Sequence, residues 1–213
     1  MSESLQSARE ILPLAKDFVL MAAAVVASCV GIMGLGSWRR QLKGNAEYLL
    51  AKNLLTAVYE LREAISNARH PYLELAGEAD LPKEKLSELS WREKHWFALG
   101  EAYQKRWAPV AAAKAKIDAN LLEAEVVWGQ QIRSKATPLD ELIGELYYAT
   151  KDHLEAKNPN LRVNNEELRA AQTRRKIMYS RSDPEKDEYR KRLGDVIADI
   201  EDELKPHIVQ HHR

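Results

Sequence analysis

The run Phe18 to Leu35, FVLMAAAVVASCVGIMGL, contains no charged residue and ends against Gly36, Ser37, Trp38, Arg39 and Arg40. At about 1.5 Å per residue a helix of that length spans roughly 27 Å, and Gly36 to Trp38 extend it to the roughly 30 Å of a bilayer's hydrocarbon core. The run predicts a transmembrane anchor over 18–38. The remainder must then be read as polypeptide held beside a membrane surface.

Orientation follows from where Lys and Arg lie, because basic residues flanking a span stay on the cytoplasmic side. Arg9 and Lys16 precede the run, diluted by Glu3, Glu10 and Asp17, whereas Arg39, Arg40, Lys43 and Lys52 follow it. Trp38 stands where an interfacial aromatic is expected. A short N-terminal tail (1–17) is therefore placed outside and the large C-terminal part inside, with Trp38, Arg39, Arg40 and Lys43 forming the membrane interface. A cleaved secretory signal would need a basic start, but Asp17 abuts the apolar run and no A-x-A site closes it. Val26, Ala27, Ser28 and Cys29 resemble a lipobox, so a lipoprotein anchored at Cys29 is the alternative. The residues after Cys29 stay apolar and then turn basic, which suits a span better. A buried core helix is the third reading.

Within the run, Ala23, Ala27 and Gly31 recur every four residues, leaving one face small enough for a second helix to approach. Self-association in the membrane is one expectation. The plainer account is that Ala is common in modestly hydrophobic spans. Cys29 is the sole cysteine, so no internal disulfide can form.

Beyond the anchor the sequence reads as all-α, several long helices packed as a bundle or elongated hairpin. Charged residues make up 30% of the chain and no stretch alternates apolar and polar residues as a strand does. Leu50, Leu54, Ala57, Leu61, Ala64 and Ala68, widened by Leu55, Val58 and Ile65, give a coiled-coil-like seam on a stalk helix (39–70), bent or broken near Gly44 and stopped before Pro71. Residues 71–89, with Gly77, Asp80 and Pro82, read as a connector. A helical domain (90–205) follows. Ser90 and Glu93 form a capping box opening a long helix. Trp96, Tyr103 and Trp107 share a face on it, Pro109 predicts a kink or break, and the end is expected at Gly129 or, alternatively, at Ser134. Thr137, Pro138 and Asp140 suggest a second start, with Leu139, Leu142, Leu146, Ala149 and His153 on one side, ended by Asn158 to Asn160. Asn164 with Glu167 opens a more polar helix through Met178. Ser182, Asp183 and Pro184 start a last helix with the face Tyr189, Leu193, Val196, Ile200 and Leu204, stopped by Pro206 ahead of a C-terminal tail (206–213).

Chemistry is sparse. His207, His211 and His212 lie at helical spacing but follow Pro206, and metal sites need three or four placed ligands. His95 and His153 make no metal-binding spacing, and His153 on an apolar stripe reads as a half-buried core histidine. There is no P-loop, no G-x-S-x-G and no cysteine with a partner base. No catalytic residue, cofactor or metal is assigned. Lys plus Arg and Asp plus Glu stand at 32 each, so no global field draws the chain to nucleic acid. The basic cluster Arg169, Arg174, Arg175, Lys176, Arg181 and Arg190 to Arg192 is interleaved with Glu166, Glu167, Asp183, Glu185, Asp187 and Glu188, a pattern usual for solvated faces. Lipid head groups are the better phosphate partner, through Arg39, Arg40 and Lys43.

Ser37 to Lys43, SWRRQLK, with Ala46, Glu47, Tyr48, Tyr59, Leu61, Arg62 and Arg69, resembles a group of bacterial single-pass membrane proteins of uncharacterised activity. The resemblance covers only the anchor and stalk. It implies an inner-membrane anchor and brings no activity with it. The functional expectation is a non-enzymatic, membrane-anchored interaction or scaffold protein whose partners are the bilayer and either a second copy of itself or another protein. A membrane-tethered signalling or defence component is the alternative, and an enzyme with an unannounced site the third.

Overall fold

A computed structural model describes the backbone of residues 2–71, 82, 87–161 and 165–209, and the side chains of that set except 2–19, 22 and 165–169. The chain is all-α, with no strand among the described residues. Its long helices are α1 (Ser2–Ala68), α2 (Trp91–Trp128), α3 (Gln131–Ala156), α4 (Asn165–Met178) and α5 (Glu188–Val209), and a 3₁₀ turn spans Pro184–Lys186. Two compact units are distinguished, Met1–Ala46 and Glu47–Arg213.

In the first unit the described large apolar side chains are all exposed, from Leu20, Met21, Val25 and Val26 through Val30, Ile32, Met33 and Leu35 to Trp38. Ala23, Ala27 and Gly31 are exposed as well. The Ser28 hydroxyl donates to the Ala24 carbonyl at 2.8 Å, so it is satisfied within its own helix. Among the described residues no helix is long and apolar enough to cross a membrane. The Phe18–Leu35 run is described only in part, without the side chains of Phe18, Val19 and Ala22. The expected tail over 1–17 likewise has no described side chains. Gly44 does not interrupt α1.

The second unit is a helical bundle. The stripe expected to form a stalk seam is the bundle's own core. Leu50, Leu54, Val58, Leu61 and Ile65 are buried against Val110, Ile117 and Leu121 of α2, Ile132, Leu139, Leu142 and Leu146 of α3, and Leu193, Ile197, Ile200 and Leu204 of α5. Each such side chain contributes about 1.5–3 kcal/mol by leaving water, which is why the seam closes on neighbours within the chain. Helix α3 is central, and α2, α4 and α5 all pack on it.

Local signals decide some boundaries. The Ser90 hydroxyl accepts from the Glu93 backbone N–H at 3.3 Å, and the Glu93 carboxylate accepts from the Ser90 N–H at 2.8 Å, the reciprocal pair the sequence predicts. Gly129 ends α2 with φ 84°, a left-handed conformation that suits glycine. Pro109 does not break α2.

Tertiary packing overrides others. Helix α3 starts at Gln131 rather than at Thr137, and Pro138 lies inside it. Burial of Ile132 and Ala136 ahead of the proline favours the longer helix, while the Thr137 hydroxyl donates to the Arg133 carbonyl at 3.2 Å instead of capping. Pro206 does not stop α5, which runs to Val209. Ile197, not Val196, is buried on that helix, which Asp187 rather than Asp183 caps. Most of the 71–89 connector, Asn164, the Glu167 side chain and residues 210–213 with His211 and His212 lie outside the described residues.

Candidate functional site

A cleft of about 520 Å³ opens where α2, α3 and α4 meet beside the end of α1. Tyr103, Leu99 and Tyr179 of its lining belong to a small apolar cluster that also holds Ala149, Leu154, Ile177 and Met178. Each wall is a pair of residues four apart on one helix face. Leu99 and Tyr103 come from α2, with His95 one turn earlier. His153 and Lys157 come from the end of α3, Arg175 and Tyr179 from the end of α4, and Pro71 closes one side. Residues at that spacing lie one above the other, so three short helix faces suffice to line the space.

The polar atoms are tied to one another. The Tyr103 and Tyr179 hydroxyls hydrogen-bond at 2.9 Å. Burial, and then the bond to Tyr179, raise the Tyr103 phenol above the ordinary tyrosine range. The His153 ring meets the Tyr103 ring edge-on at 6.0 Å. Burial first, then the charges of Lys157, Arg174 and Arg175, push the His153 imidazole down to about 4. His153 is therefore neutral at pH 7, half-buried as the sequence suggests, but on a cleft wall. His95 stacks on Trp91 at 5.6 Å, and the Trp96 indole donates to the Leu154 carbonyl at 2.9 Å, fixing α2 against the end of α3.

The structure divides the basic cluster. Arg175 faces the cleft just described. Lys176, Arg181 and Arg192 line a second, smaller one of about 330 Å³, together with Glu145, Glu188 and Lys186. There Arg192 forms a two-point pair with Glu145, at 2.6 and 3.2 Å. That site holds four cations against two carboxylates, and within it Arg192 and Glu145 compensate each other.

Asp187 is not the surface acid expected from the interleaved charges. It is buried and paired with Arg69, and its signal in the sequence was a helix cap, since its carboxylate accepts from the Arg190 N–H three residues on. His207 stacks on Trp128 at 4.4 Å and lies 3.9 Å from a Glu47 oxygen. Among the described residues no three His, Cys, Asp or Glu side chains converge as a metal site would require. Trp38, Arg39, Arg40 and Lys43 are exposed on α1. Trp96 and Trp107 are partly buried, the latter against Tyr147 at 5.2 Å. Sequence reasoning passed over Lys157, Arg175 and Tyr179 as a set, because nothing in their spacing says which helix faces converge.

Comparison with protein-family models, curated proteins and solved structures found no match to the chain.

Proposed function

We propose that this chain is a membrane-tethered helical bundle that acts by presenting its folded surface to a partner, without chemistry of its own. The observation that carries the reading is the exposed series on α1. From Leu20 to Trp38 every described large apolar side chain is exposed, Ile32 at 72% and Met33 at 66%, whereas the same helix buries Leu50, Leu54 and Leu61 almost completely. So much contiguous apolar surface is costly in water, and a bilayer is the surrounding that removes the cost. Phe18 to Trp38 then serve as the anchor. Arg39, Arg40 and Lys43 meet anionic head groups, and Trp38 sits at the interface.

Because the Leu50–Ile65 stripe is consumed inside the bundle, association through a stalk coiled coil is not part of this reading. Contacts fall instead to the anchor, where Ala23, Ala27 and Gly31 offer a close-approach face, and to the bundle surface. There Leu122 and Val126, four apart on α2, are 62% and 86% exposed.

Fractionation of intact cells with a carbonate wash tests the anchor. The chain is expected in the membrane pellet, and the double substitution Val25→Arg with Val30→Arg should release it, since each arginine costs about 2.5–3.5 kcal/mol at the centre of a span. Recovery of the unaltered chain wholly in the soluble lysate would overturn the reading. Crosslinking in the same cells then identifies what the bundle touches.

A further inference from the structure

We propose that the cleft between α2, α3 and α4 binds an organic phosphate monoester, with the phosphoryl oxygens between Lys157 and Arg175 and the apolar body against Leu99 and Tyr103. This does not rest on the membrane reading. The space, about 520 Å³, is of the size that takes small ligands, and its lining joins the apolar surface of Pro71, Leu99 and Tyr103 to a few polar groups.

Charge decides the class. The lining residues include two cations, two imidazoles and two phenols, and no carboxylate. Among the described residues neither Lys157 nor Arg175 is ion-paired, in contrast to Arg192 in the smaller cleft. Two cations with a phenol beside them call for a ligand of about two negative charges and several acceptor oxygens, which a phosphate monoester supplies at neutral pH. A monocarboxylate brings one charge and two oxygens and would leave one cation uncompensated. Arginine adds a planar fork that matches phosphate oxygens in pairs, and lysine adds a mobile point charge. His153 is neutral at pH 7, so it adds a hydrogen-bonding edge without further repulsion between cations. Tyr103 is held by Tyr179 and by the His153 ring, so the part of it that lines the cleft is a fixed wall for a flat or aliphatic body.

The same chemistry comes from a soluble metabolite or from a phosphomonoester lipid head group, and titration calorimetry on the full chain in neutral detergent separates the two. Phenyl phosphate, dihexanoyl phosphatidic acid and inorganic phosphate are the probes. Saturable binding of at least one organic phosphate is expected, tighter than inorganic phosphate, and tighter for the phosphatidic acid if the natural ligand is a lipid. Lys157→Gln and Arg175→Gln should each weaken binding about tenfold, as loss of one charge-assisted contact does, with unchanged helicity by circular dichroism. Arg192→Gln, in the other cleft, should change nothing. Both cleft residues are exposed, so each variant is expected to fold, and either one alone suffices as the readout. No saturable binding at millimolar probe, or equal affinity in both cleft variants and the unaltered chain, would overturn the proposal.

Discussion

Arg69, at the end of α1, and Asp187, just ahead of α5, form a buried ion pair at 2.9 Å with 3% and 1% of their side-chain surfaces exposed. The guanidinium also donates to the carbonyls of Ile177 at 2.6 Å, Lys176 at 3.2 Å and Tyr179 at 3.3 Å, and lies 4.4 Å from the centre of the Tyr189 ring. It thereby satisfies the open carbonyl end of α4, while Asp187 accepts from the backbone N–H groups of Arg181 at 3.2 Å and Arg190 at 3.0 Å. One side-chain pair thus joins the end of one helix, the end of a second and the start of a third. The Ser180 N–H donates back to the Arg69 carbonyl at 2.8 Å.

Removing one partner strands the other charge. Arg69→Met and Asp187→Ala are each expected to cost about 3–5 kcal/mol, as breaking a buried pair does, and the double variant should cost less than the sum. Urea unfolding in detergent, read by circular dichroism, measures all three. Additive losses would show that the two side chains do not act as a pair.

The pair also fixes an acid dependence. Burial alone would raise the Asp187 carboxyl, but the hydrogen bonds from Arg69 and from the Arg190 and Arg181 backbones outweigh it and hold the group below the usual carboxylate range. A carboxylate lowered in the folded state adds stability that is full above its unfolded value of about 3.9 and is lost as pH falls through the folded value. The stability gap between the unaltered chain and Asp187→Asn should therefore be widest above about pH 4 and shrink on further acidification. A gap that stays constant down to pH 2 would contradict the assignment.

His153 gives a second pH dependence in a higher window. Its imidazole falls from 6.5 to about 4, chiefly through burial, with Lys157, Arg174 and Arg175 adding repulsion and Tyr103 packed against its ring. A base lowered in the folded state binds fewer protons there than when unfolded, so stability is full above about pH 6.5 and declines towards pH 4. Discounting for solvent screening of a half-buried ring, the loss should be roughly 1–2 kcal/mol. His153→Phe should abolish it, and unfolding midpoints at pH 7.5, 5.5 and 4.5 provide the measurement.

The seam on α1 predicts core behaviour rather than oligomer behaviour. Leu61→Ala should cost about 2–5 kcal/mol as a cavity-forming change. The loss relative to the unaltered chain should not vary with protein concentration, because Leu61 is wholly buried within one chain. A loss that changes with concentration would instead place the stripe between chains.

At the turn between α2 and α3, Gly129→Ala should destabilise by about 1–3 kcal/mol, since φ 84° with ψ −177° is a backbone region open essentially to glycine alone. The Cβ would meet no other group within 4 Å, so a larger loss would need another cause.

Much of the fold is legible in the order of residues alone. The all-α class, the Ser90–Glu93 cap, the stop at Gly129 and the apolar face of each helix are local matters, set by which backbone groups a nearby side chain satisfies and by a 3.6-residue period. The uncharged Phe18–Leu35 run is equally local, because it is a property of composition over a few turns. The starts and stops misread at Pro138 and Pro206 share a cause. A proline forfeits one hydrogen bond, and burial of Ile132, Ala136 and Leu204 elsewhere on the same helix outweighs that loss, which only the packed structure reveals.

Tertiary structure alone decided the partnerships. Periodicity shows that Leu54 and Leu61 share a face but not whether that face meets a second copy or the chain's own α2, α3 and α5. Arg69 and Asp187 are 118 residues apart, and a charge on a helix reads as solvated until the opposite charge is found against it. Lys157, Arg175 and Tyr103 likewise line one cleft only because the ends of α3 and α4 converge on α2, and convergence is set by how the cores fill space rather than by any spacing along the chain.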